Sequence, residues 1–117
     1  MGDDSAPSRE PPVRGAESRN GTVVLRLGWE LDLYNADEIR DALAGLIAEE
    51  PPCLVIDMAD VEFVDSTTLG VLVEAHSRLG DRLRLAAPQL ETRRALQVSG
   101  LDRHLPVHDT VDDALAG

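Results

Sequence analysis

The segment Val64-Asp65-Ser66-Thr67-Thr68-Leu69-Gly70 divides two apolar runs of different period. Before it stands Cys53-Leu54-Val55-Ile56, short and continuously apolar. After it, Leu69, Leu72, Val73, His76 and Leu79 recur at helical spacing. That order predicts a strand, a loop and a helix. Ser66 or Thr67 is expected at the helix N-cap, where a short hydroxyl accepts a bond from an N–H of the first turn. Three hydroxyls and one carboxylate are thus gathered at the positive end of a helix, which tolerates an anion. Such residues before a helix most often serve only as caps, so the rest of the chain must decide whether they do more.

Upstream, Val13 to Glu17 reads as a short edge strand and Asn20-Gly21 as a hairpin turn. Thr22 to Leu27 follows as a strand whose near-continuous apolar character predicts burial on both faces. Gly28-Trp29-Glu30-Leu31-Asp32 leads out of it. Asn35 is expected to cap a helix, with Glu38 completing a capping box. Ile39, Leu43, Leu46 and Ile47 form its apolar stripe, and Pro51-Pro52 ends it. Cys53 to Asp57 is the next buried strand.

Downstream, Gly80 is expected just past the end of the central helix. Arg82 to Ala86 reads as a strand. Pro88 opens a helix that runs through Leu90, Arg94, Leu96 and Val98 to Gly100. His104 to His108 is a short final strand, placed at an edge by Pro106. Asp109 is expected to cap a last helix, Val111 to Leu115. Strands alternating with helices predict an α/β fold around one sheet. Residues 1–11 carry almost no large apolar side chain and read as a disordered tail, which leaves 12–117 as a single domain.

The 117 residues suffice for one core, and 43% apolar with 28% charged residues is ordinary for a globular domain. Aromatics are only 3%, so the core must be built from Leu, Val, Ile and Ala. A net charge of −11 argues against nucleic acid or an anionic membrane as partner. The single cysteine, Cys53, excludes an internal disulfide and reads as a small buried hydrophobe. No apolar run approaches the ~20 residues of a spanning helix, and the N-terminus lacks a signal-peptide pattern. A cytoplasmic protein is expected.

Several chemistries fall away. His104 and His108 lie on one side of a strand with no second ligand pair, and His76 sits on an apolar helix face, so no metal is expected. Asp57, Asp60 and Asp65 resemble the acidic pocket of a phosphoaspartate receiver, but that family uses a lysine and all eleven basic residues here are Arg. The same absence removes a Walker A loop. Ser66 has no G-x-S-x-G elbow around it, which argues against a hydrolase nucleophile. No enzymatic activity and no cofactor are expected.

Glu30-Leu31-Asp32, Cys53 to Gly70 and Val98-Ser99-Gly100-Leu101 together resemble a STAS domain, and more narrowly a bacterial anti-sigma factor antagonist. The strongest piece is Asp65-Ser66-Thr67-Thr68-Leu69-Gly70, similar to the family's D-S-[ST]-x-L-G signature. The resemblance implies a central mixed sheet of four or five strands with about four helices mainly on one face. It implies a partner switch: the unphosphorylated antagonist binds an anti-sigma factor that is also a serine/threonine kinase, and a sigma factor is released. Phosphorylation ends the binding, and a PP2C-type phosphatase resets it. Nucleotide and metal belong to the kinase. By position Thr67 is the phosphoacceptor, with Ser66 as second candidate, and Asp32 is the acidic residue near it. Asp32, Asp65, Ser66, Thr67, Thr68 and Val71 are the expected partner surface. A stressosome-like scaffold, or a regulator of a non-sigma partner, is the alternative. Thr68 and Trp29 stand where the family usually has glycine, and both are expected to bear on partner choice.

Overall fold

In a computed structural model, residues 11–117 are described. The expected tail therefore lies outside the described residues, apart from Pro11. Strand β1 (Val13–Arg19) turns through Asn20-Gly21 into β2 (Thr22–Leu31). Both turn residues have positive φ, 54° and 87°, as a two-residue hairpin of this hand requires. Then follow α1 (Ala36–Ala48), β3 (Leu54–Val64), α2 (Ser66–Leu79), β4 (Leu83–Ala86), α3 (Leu90–Ser99), β5 (Val107–His108) and α4 (Val111–Ala116).

The five strands form one sheet in chain order, β1-β2-β3-β4-β5. β1 and β2 are antiparallel; the remaining pairs are parallel, each joined by a helical crossover. Strand alternation sends Leu25, Leu27, Leu54, Ile56, Leu83 and Leu85 to one face. There they meet Ile39 and Leu43 of α1, Val71 and Leu72 of α2, and Leu96 of α3. Val24, Val55, Cys53 and Ala86 project to the other face, against Ala114 of α4. Burial of β2 and β3 on both sides, and helices mainly on one side, are as the sequence implied. Cys53 is free and buried. Arg84 ties α4 down by donating from Nη1 to the Ala114 carbonyl at 2.6 Å.

Several expectations need correction. Both central strands run further than their apolar runs suggest, β2 to Leu31 and β3 to Val64. The polar extension still pairs, with register shifts at Arg26/Gly28 and Trp29/Glu30 absorbing the extra residues. Trp29 sits at the second shift with φ 66°, a left-handed conformation that favours glycine. Its ring is covered by the Arg14 guanidinium, 4.8 Å from the ring centroid. Trp29 is thus a backbone anomaly packed by β1.

Helix registers also differ. α2 buries Val71, Leu72, Ala75 and Leu79 and leaves Val73 exposed. α3 buries Thr92 and Leu96, whereas Leu90 and Val98 face outward. Thr110, not Asp109, caps α4, accepting from the Asp113 N–H at 3.0 Å. β5 contracts to two residues because the His104 and Leu105 N–H groups bond back to the Leu101 carbonyl, extending the 3₁₀ turn at Leu101–Arg103. No helix among the described residues is long and apolar enough to cross a membrane.

Candidate functional site

β2 and β3 end side by side, with Leu31 paired to Val64. Asp32 and Asp65 follow directly, so both loops leave from the carboxyl ends of adjacent parallel strands. That edge of an α/β sheet is where functional loops collect. The Asp65 N–H donates to the Leu31 carbonyl at 3.0 Å, extending the pairing by one step.

Asp65 is the α2 N-cap, in place of the expected Ser66 or Thr67. Its extended backbone, φ −101° and ψ 179°, turns the carboxylate over the first helical turn. Oδ1 accepts from the Thr68 N–H at 3.0 Å, and Oδ2 accepts from the Leu33 N–H at 3.0 Å. One carboxylate therefore caps α2 and fastens the β2–α1 loop to it.

The cap position fixes what its neighbours can do. Ser66 and Thr67 occupy the first two helical positions and are exposed. Thr68 faces inward at 0% exposure, and its Oγ1 has no hydrogen-bond partner. Val71, one turn on, is 1% exposed. Two members of the expected partner surface, Thr68 and Val71, thus belong to the packing beneath that surface. The helical period places them under the exposed first turn. Thr68 in place of glycine adds bulk to the interior and none to the exterior.

Asp32 is half-buried in the β2–α1 loop. Its Oδ1 accepts from the Tyr34 N–H at 3.0 Å. Asn35, expected as a cap, makes no side-chain cap bond. Its Oδ1 accepts from the Asp32 N–H at 3.0 Å, and its Nδ2 donates to the Glu30 carbonyl at 2.8 Å. The capping box with Glu38 is replaced by a clamp across the loop. At its tip Leu33 and Tyr34 are exposed at 60% and 81%. Sequence reading passed over both. The available signal was two large apolar residues between an Asx-turn aspartate and an asparagine, where loops usually carry polar or turn-forming types.

Behind the loops, Arg40 of α1 donates from Nε to Glu74 of α2 at 3.0 Å and also pairs with Asp37. The hydrogen bond it donates to Glu74 holds the guanidinium above its usual pKa. Among the described residues no group of three or more His, Cys, Asp or Glu is arranged to hold a metal ion. The three histidines stand apart, His76 on α2, His104 after α3 and His108 on β5.

Chemically the site offers two accessible hydroxyls at the start of a fourteen-residue helix. The first-turn N–H groups have no intrahelical acceptors, and the helix dipole favours negative charge there.

A family model described as the STAS domain matches residues 15–114. The anti-sigma-F factor antagonist RsfB of Mycobacterium tuberculosis is 35% identical over 100 residues, covering 84% of this chain and 82% of that protein. The crystal structure of an anti-sigma factor antagonist from Mycobacterium paratuberculosis superposes with a TM-score of 0.82 at 34% identity, covering 86% of this chain and 88% of the other. Unphosphorylated SpoIIAA, also an anti-sigma factor antagonist, shares the fold at a TM-score of 0.72 and 24% identity, covering 86% and 91% of the two chains.

Proposed function

The chain belongs to the STAS domain family, and from that premise we propose that it is an anti-sigma factor antagonist switched by phosphorylation of Thr67. Unphosphorylated, it binds an anti-sigma factor that doubles as a serine/threonine kinase, and the sigma factor is set free. The kinase transfers a phosphoryl group from ATP to the Thr67 hydroxyl, the complex separates, and a PP2C-type phosphatase restores the hydroxyl. The chain itself performs no chemistry in this cycle.

The observation that carries this reading is the division of the Asp65–Thr68 segment. Asp65 caps the helix, Thr68 is buried, and Ser66 and Thr67 alone present hydroxyls outward. Thr67 is at the register of the family's acceptor. A phosphate adds roughly −1.5 to −2 charges at pH 7. Inside the domain the helix start offsets part of that charge. At the interface the phosphate must shed its hydration and needs room that the unmodified hydroxyl did not take, so the interface breaks while the fold survives.

The test is incubation with the source organism's purified anti-sigma factor kinase and ATP, followed by phosphosite mapping. Phosphate on Thr67 supports the reading. Phosphate on Asp57, Asp60 or Asp65, labile to hydroxylamine, would overturn it.

A further inference from the structure

We infer that the Leu33–Tyr34 tip of the β2–α1 loop is the anchor by which this chain docks, filling an apolar pocket with a basic rim on the anti-sigma partner. The inference rests on the function proposed above and names a contact that the motif does not contain.

The tip is exposed, yet its backbone is already fixed. The Leu33 N–H is held by Asp65 and the Tyr34 N–H by Asp32, each at 3.0 Å. Asn35 closes the loop from both sides through Asp32 and Glu30, and its own N–H donates to the Asp32 carbonyl at 3.1 Å. A loop held this way gives up little further backbone freedom on binding. What it displays is a leucine at 60% and a tyrosine at 81% exposure. Tyrosine is favoured at interface hot spots because it brings a large, stiff contact area and a hydroxyl.

The surroundings specify the partner's chemistry. Asp32, Glu38 and Asp65 surround the tip in sequence or by direct hydrogen bond, Asp37 being paired with Arg40, and the whole chain carries −11. An apolar pocket edged by arginine or lysine complements that pattern; an acidic rim would be repelled. The Asp65 carboxylate also ties the tip to the turn bearing Ser66 and Thr67. Anchor and acceptor turn are thus joined through one carboxylate.

A second apolar surface competes with this assignment. It lies between β3 and α3, lined by Phe63, Val64, Ala95 and Val98 with Glu62 and Arg94. Val64 brings that surface to the residue before Asp65, whereas the loop tip is hydrogen-bonded to the Asp65 carboxylate that caps the acceptor turn, which is why the loop tip is favoured.

The experiment titrates the source organism's purified anti-sigma factor kinases with wild-type chain, Tyr34→Ala, Leu33→Ser and Val98→Ser, with thermal melts of each. Both loop variants should melt as wild type and bind about tenfold or more weakly, while Val98→Ser binds within about twofold. In the kinase reaction the loop variants should raise KM and leave kcat unchanged, the mark of lost docking. Wild-type affinity in both loop variants would overturn the inference. Weakened binding in Val98→Ser alone would assign docking to the α3 groove and also overturn it. A wild-type chain that binds none of these kinases would overturn both the inference and the function on which it rests.

Discussion

The Leu33 N–H donates to Asp65 Oδ2 at 3.0 Å across 32 positions of chain. The same carboxylate caps α2 through Thr68. Two loops that could move separately are therefore joined at one side chain. Asp65→Ala should cost about 1–3 kcal/mol, the sum of a lost cap and a lost tertiary hydrogen bond. Asp65→Asn retains one carbonyl acceptor and should cost less. Denaturant melts measure both, and an Asp65→Ala effect below about 0.3 kcal/mol would show that the two hydrogen bonds carry no stability.

Helix α2 has a sharply divided surface. Leu72 is fully buried and Val73 is exposed. Leu72→Ala should destabilise by about 2–5 kcal/mol, whereas Val73→Ala should stay within about 0.5 kcal/mol. Equal losses at the two positions would place the helix face wrongly.

How much of this was legible beforehand follows from what each signal encodes. The stripe of α1, the Asn20-Gly21 turn and the two-sided burial of the central strands are set by local pattern, and the structure has them. Caps were legible only to within a residue. Ser66, Asn35 and Asp109 are all chemically able to cap, and the choice of Asp65 and Thr110 depends on backbone angles that composition does not carry. Asn35 was diverted because Glu30 and Asp32 lie within its reach. The ends of β2 and β3 were missed because ladder pairing, not side-chain polarity, extends them. Thr68 and Val71 were assigned to the surface from a motif that says which residues recur and not which way they face.

Thr68 offers a test of that inward orientation. Its hydroxyl is buried with no hydrogen-bond partner, and an unpaired buried polar group costs on the order of 1–3 kcal/mol. Thr68→Val keeps the branched shape and removes the hydroxyl, so it should raise stability by about 1 kcal/mol. Partner affinity should be unchanged, since the side chain is fully covered. A loss of stability in the melt would mean that the hydroxyl has found a partner.

The central claim is that charge at Thr67 breaks an interface without unfolding the domain. It is tested most directly by titrating the anti-sigma factor kinase with wild-type, Thr67→Ala and Thr67→Glu chains whose melts have been recorded. Thr67→Ala should fold and bind as wild type, because it loses only a hydroxyl and a methyl at an exposed position. Thr67→Glu should also fold, since a carboxylate suits the first turn of a helix. Its affinity should fall about tenfold or more, at least ~1.4 kcal/mol. Equal affinity for the Thr67→Glu and wild-type chains, with both fully folded, would contradict the switch.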